Sequence, residues 1–197
     1  MISPKTLTEL LEYDSETGVL HWKPRPLSLF HSGVRSAEWQ ATAWNSKNAG
    51  KEAFTADNGR GYRRGTICLT GKAKQYLAHR VIWAITYGIW PVLKMDHIDG
   101  NGFNNRITNL RLATDAENAR NCRPSLGSTS KYLGVWWRPS RAKRQTSFKG
   151  RWVAQITVDR QRIVIGSFDD EVGAANAYNA AARDRFGAFA RLNDTKA

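Results

Sequence analysis

Cysteine is scarce in this sequence, and so is negative charge. Two cysteines, Cys68 and Cys122, stand far apart in 197 residues. Two thiols cannot build a four-thiolate site, so no structural zinc is expected. Both are expected to be free, buried thiols of a reducing compartment. No apolar run is long enough to span a bilayer, which argues against a membrane partner. The stretch MISPKTLTELLEYDSETG lacks the basic start, apolar centre and small-residue cleavage site of a secretory signal. The expected location is the cytoplasm.

The shortage of acid is large. Seventeen Asp and Glu face 30 Lys and Arg, for a formal charge of +13 and a pI of about 10.1. Such a surplus favours a polyanionic partner. Hydrophobic residues at 41% and charged residues at 24% describe a globular chain. Residues 131–197 hold 13 Lys and Arg against 6 Asp and Glu, more than their share of the positive charge.

A short helix with Leu7, Leu10 and Leu11 on one face opens the chain. DSETG is a turn, and Val19 to Lys23 reads as a strand ended by Pro24 and Pro26. Residues 27–60 carry no clear period; Trp39 and Trp44 are expected to anchor them. YRRGTICL and QYLAHR form a hairpin around TGKAK. HRVIWAITYG is a helix stopped by Gly88 and Pro91. VLKMDHI and LRLAT are antiparallel strands around the polar loop DGNGFNNRITN. Thr114 and Glu117 have capping-box spacing for a following helix. NCRPSLGSTSK has linker composition, which places a boundary between residues 1–122 and 131–197, with 123–130 as linker.

The Asp-His pair at the end of VLKMDHI invites a chemical reading. Phosphodiester hydrolysis needs a base for water, and His97 titrates in the right range. It also needs a cation against the scissile phosphate. Hard cations take oxygen ligands, which Asp96 and Asn118 offer. Asn109 can tie the loop to backbone groups and hold His97 in place. Arg106 and Arg111 flank the loop, either as phosphate contacts or as solvated surface arginines. His79 opens its helix and reads as a buried structural histidine. Asn101, Asn104 and Asn105 read as turn formers.

The pattern DHIDGN, NNR, NLR, AT, EN and RN, in that order, resembles the HNH endonucleases of ββα-metal fold. It is closest to phage and prophage members whose last motif residue is Asn rather than His. YDSETGVLHWKPRP and YLAHRVIWAITYGIWP precede it in the order such proteins show. The resemblance spans about residues 8–121 and implies His97 as general base, Asn109 as the structural asparagine of the catalytic set, and Asp96 with Asn118 as metal ligands. It implies one divalent ion per site, Mg²⁺ ahead of Mn²⁺. A phage origin would make the location a bacterial host's cytoplasm.

The last third changes pattern. KYLGVWWRP, GRWVAQITV and QRIVIGSF are strands, with the basic insertion SRAKRQTSFK between the first two. DDEVGAANAYNAAARDRFG is a helix whose small residues suit close approach to a sheet. Alternation puts Val135, Trp137, Trp152, Ala154, Ile156, Ile163 and Ile165 on an apolar face. Trp136, Arg138, Gln155, Thr157, Arg160 and Arg162 share the other, a surface suited to duplex DNA. Arg151 is a further candidate contact. The order of these segments over about 131–194 resembles the ethylene-response-factor (AP-two-type) DNA-binding domain.

The expected fold class is therefore α+β: an N-terminal HNH ββα-metal module, then a three-stranded antiparallel sheet packed on one helix. The expected function is a metal-dependent DNA endonuclease of the homing type, acting on double-stranded DNA as monomer or dimer. The rival readings are a DNA-binding regulator with an inactive HNH fold and an RNA-binding protein.

Overall fold

A computed structural model describes residues 1–31, 33–69, 71–121, 127–140 and 150–196. Residues 122–126, which include Cys122 and the start of the expected linker, lie outside the described residues, as do 141–149 of the basic insertion. Backbone contacts divide the chain into two units, Met1–Thr114 and Asp115–Ala197.

In the first unit, α1 (Pro4–Leu10) is capped by the Ser3 hydroxyl, which accepts from the Thr6 N–H at 3.1 Å. Pro4 sits where a missing N–H costs nothing. The helix ends one residue before its leucine pattern does, and Leu11 opens strand β1 (Leu11–Asp14). All three leucines are nonetheless buried. β1 pairs with β2 (Val19–Trp22), and β2 with β3 (Glu52–Ala53). Between β2 and β3, in the stretch without a readable period, lies α2 (Ala37–Asn48). Trp39 is 50% exposed, so it is no anchor; Trp44 packs edge-on against Trp22 at 5.6 Å.

β4 (Ala56–Asp57), β5 (Arg63–Leu69) and β6 (Lys72–Leu77) make a second antiparallel sheet. Ile67 points into the core, so its strand neighbour Cys68 is exposed, not buried as expected. α3 (Ala78–Tyr87) buries Val81, Ile82 and Ala84 and ends at Gly88, whose φ of +71° is the left-handed stop that glycine favours. β7 (Lys94–His97) and β8 (Leu110–Ala113) then pair antiparallel, with Asp96 opposite Arg111 and His97 opposite Leu110. A core around Leu7, Leu10, Leu20, Ile67, Val81 and Ile82 joins helices and sheets.

The second unit opens with α4 (Asp115–Arg120), so β7, β8 and α4 follow in the order strand, strand, helix. β9 (Val135–Pro139), β10 (Gly150–Val158) and β11 (Gln161–Phe168) form an antiparallel sheet with β10 central. α5 (Glu171–Phe186) packs on it through Ala174, Ala175, Tyr178 and Ala182. A Cβ on Gly134 would lie 2.2 Å from the Tyr178 ring, so only glycine permits this approach. This is the expected sheet on one helix. No helix among the described residues is long and apolar enough to cross a membrane.

Candidate active site

His97 ends β7 and is only 4% exposed. Its Nε2 donates to Asn105 Oδ1 at 3.0 Å, a bond buried in the loop between β7 and β8. That donation leaves the lone pair of a neutral ring on Nδ1. Two aromatic rings flank it: His79 edge-on at 5.2 Å and Tyr62 tilted at 5.6 Å. Burial pushes the His97 ring below its ordinary value, while Asn105, Asp99 and Asp96 pull the other way. His79 is pushed down to about 3, chiefly by burial and then by the neighbouring His97 and Arg80. Both rings are thus neutral at physiological pH, the form a base requires.

Asp96 is 5% exposed. Its Oδ2 accepts from Arg111 Nε at 2.7 Å and Nη2 at 2.6 Å, directly across the strand pair. Arg111 is therefore not a solvated surface arginine: the ladder register places it on Asp96. Arg106 is exposed; its Nε donates to the Glu16 carbonyl.

The loop is a nest of side-chain turns. Asp99 Oδ1 accepts from the Asn101 N–H at 2.7 Å, and Asn101 Oδ1 from the Phe103 N–H at 3.1 Å. Asn109, at the end of a short 3₁₀ turn (Ile107–Asn109), closes it. Its Oδ1 accepts from the Asp99 N–H at 3.0 Å, and its Nδ2 donates to Asp99 Oδ1 at 3.0 Å and to the Asn104 carbonyl at 2.8 Å. Burial acts to raise the Asp99 carboxyl, but the donors from Asn101, Asn104 and Asn109 together hold it below its usual range.

Support also arrives from far along the chain. The Tyr13 hydroxyl donates to the Asn105 carbonyl at 3.1 Å and accepts from the Ile107 N–H at 2.9 Å. Gly18, at φ +78°, lies so close that a Cβ would sit 2.6 Å from the Arg106 nitrogen. Asn105 is more than a turn former, and Tyr13 and Tyr62 were missed altogether. Its place in the NNR segment of the motif was the one signal for Asn105.

Asn118 lies in α4 and so in the second unit, whereas Asp96, His97 and Asn109 lie together in the first. Among the described residues, no three or more His, Cys, Asp or Glu side chains cluster as a metal site. Within the first unit, Asp96 offers a hard carboxylate oxygen of the kind taken by an ion that keeps several waters.

In the second unit, register aligns the candidate DNA contacts. Arg138 pairs with Arg151, Trp136 with Val153, Gln155 with Val164 and Thr157 with Arg162, all on the face away from α5. Arg138 Nη2 donates to the Ser167 hydroxyl at 2.9 Å, and Arg151 pairs with Asp169 at 3.2 Å. Arg160 departs from the expected face. It occupies the hairpin turn at φ +66°, at the tip of the β10–β11 ribbon. Trp136 is half-buried, and its Nε1 has no partner among the described residues.

Residues 76–120 match the family model described as HNH endonuclease. Protein 3.8 of Escherichia phage T7 is 38% identical over 66 residues, which are 32% of this chain and 53% of that protein. A solved structure, described as DNA binding and cleavage by the HNH homing endonuclease I-HmuI, aligns at 26% identity with a TM-score of 0.40, covering 61% of this chain and 55% of that one. The chain spans about half the length of the relatives it matches. An HNH endonuclease-like domain is therefore present, and the matched residues run from the end of β6 through α3, β7, the asparagine loop and β8 to α4.

Proposed function

We propose that this protein is a metal-dependent DNA endonuclease of the homing type, hydrolysing phosphodiester bonds in double-stranded DNA. The observation that carries the reading is the buried, neutral His97, fixed by Asn105 and placed beside Asp96 within the HNH-matching segment. His97 takes a proton from water at Nδ1 as the water attacks phosphorus in line. Asn109 holds the loop, and through it the Asn105 acceptor, in place. Asp96 and Asn118 would hold one divalent ion, Mg²⁺ or Mn²⁺, which when bound offsets charge on the phosphate and the leaving oxygen. Arg106 on the loop meets phosphate, and Arg111 on β8 does so from beside Asp96.

The face of β9–β11 anchors the enzyme on duplex DNA. Arg138, Arg151 and Arg162 meet phosphate or guanine, Gln155 and Thr157 face base edges, and Trp136 packs at their side. Arg160 reaches from the hairpin tip. The order of these residues supports an ethylene-response-factor (AP-two-type) module.

A second reading has an observation of its own. Asp96 Oδ2 is already held by two Arg111 nitrogens. A carboxylate so neutralised suits a DNA-binding regulator whose HNH fold no longer cuts. Plasmid nicking with Mg²⁺ and with Mn²⁺ separates the two. Cleavage that is lost in His97→Ala, with DNA binding retained, supports the enzyme. Tight binding without cutting under either ion refutes it.

A further inference from the structure

We propose that α2 and the turn before it form a second nucleic-acid site, one that stacks unpaired bases rather than gripping duplex. The site stands on residues of the first unit that the proposed cleavage chemistry does not use. A groove of about 490 Å³ is lined by Phe30, Trp39, Ala43, Trp44 and Lys47. Trp39, Ala43 and Lys47 recur at four-residue spacing, so they form one stripe along the helix. All three are exposed. Trp39 is half exposed and sets a large ring at the lip of the groove, where a flat apolar face is open to a ligand.

The groove is built and held. Gln40 Nε2 donates to the carbonyls of His31 at 2.8 Å and Arg35 at 3.0 Å, pinning the preceding turn onto α2. Asn45 binds both backbone groups of Arg25, at 2.8 and 3.0 Å, tying the helix to the exit of β2. The Arg25 guanidinium lies 3.9 Å over the Trp44 ring and donates to the Cys68 carbonyl at 3.1 Å. Trp44 is thereby fixed before any ligand arrives. Arg35 stacks its guanidinium 3.7 Å over Trp39.

Charge selects the occupant. Residues 23–51 carry five Lys and Arg against the single acid Glu38. Arg35 and Lys47 are exposed and accompany the ring stripe. Rings interleaved with cations are the recognition chemistry of single strands: the rings and guanidinium planes stack bases, and the cations meet phosphates. Duplex DNA keeps its base faces covered, so it can use only the cations.

The test uses the full chain with metal chelated, so that cleavage plays no part. Affinity is measured for a fluorescein-labelled single-stranded oligodeoxythymidylate and for a duplex of equal length. Trp39→Ala should weaken single-strand binding about tenfold, the loss expected on removing one stacked base, while changing duplex binding less than about twofold. Trp39→Phe should retain most of the single-strand affinity. Ala43→Glu leaves every ring in place and should also weaken the single strand, because its carboxylate repels phosphate. It decides the matter if Trp39→Ala fails to fold. Unchanged single-strand affinity in the folded variants overturns the site, and so does an equal loss for both probes. Self-association that Trp39→Ala abolishes while oligonucleotide binding stays intact would assign the groove to a second copy and also overturn it.

Discussion

Replacing Asn105 by aspartate tests whether the His97–Asn105 bond sets the base. In the wild type, a neutral amide oxygen accepts from His97 Nε2 at 3.0 Å, and both residues are under 5% exposed. Burial holds the ring below the usual imidazole value near 6.5. The neutral form therefore dominates above that lowered value, and cleavage should rise with pH through a midpoint below 6.5 and be level by neutrality. A carboxylate in place of the amide stabilises the protonated ring. Opposite charges at this range shift a pKa by roughly one to three units. The rising limb of Asn105→Asp should move to higher pH by that amount, with the lost activity recovered in alkali. Asn105→Ala asks the complementary question. It leaves a buried N–H without an acceptor, which costs about 1–3 kcal/mol of stability. It also frees the ring to rotate and change tautomer, so kcat should fall at every pH. Initial nicking rates from pH 5 to 9, with urea melts of each variant, supply both readouts. Coincident pH profiles for Asn105→Asp and wild type, at equal rates, would refute the role of this bond.

Three further outcomes follow from the geometry. His79 is held down to about 3, while an unfolded histidine titrates near 6.5. The unfolded state binds the proton first, so stability is lost as pH falls from 6.5. Between pH 7 and 5 this group should remove about 2 kcal/mol, and urea melts of His79→Phe should show a shallower decline. Asn109→Asp sets a second carboxylate against Asp99 Oδ1 in place of a donor 3.0 Å away; it should lose about 2 kcal/mol at pH 7, and the deficit relative to wild type should shrink on acidification. Arg162→Ala should lower the slope of log affinity against log salt for duplex DNA by about one unit, as the loss of one phosphate contact does. An unchanged slope would remove Arg162 from the phosphate contacts.

Legibility followed periodicity. The strand pair 94–97 and 110–113, the helix closed by Gly88, and the C-terminal sheet with its helix are all readable because apolar residues recur at two or at three to four positions. α2 was not readable. Its tryptophans, Trp39 and Trp44, stand five positions apart, and its other apolar residues are alanines. No core-facing stripe forms, and Ala41 alone is buried. Its attachment comes through polar and ring contacts, Asn45 to Arg25 and Arg25 to Trp44, which leave no periodic trace. Arg160 was misplaced for a local reason. Asp159 and Arg160 both take positive φ and form the two-residue turn between Val158 and Gln161, so Arg160 belongs to neither strand and alternation cannot assign it a face.

Within the site, spacing marked Asp96 and His97, while their partners were hidden by distance. Asp96–Arg111 is a cross-strand pair, visible only once register is known. Tyr13 stands 92 residues before the Asn105 carbonyl that it holds. Gly18 meets the backbone of Asn105 and Arg106 from the β1–β2 turn, at a distance that no side chain would permit. These two contacts give the N-terminal hairpin a function that its sequence does not announce. A loop of asparagines bonded only to one another would move as a body and carry the His97 acceptor with it. Tyr13 and Gly18 fix that body to the sheet of β1 and β2, so the position of Asn105 Oδ1, and with it the aim of the His97 lone pair, is set by residues more than eighty positions before Asn105.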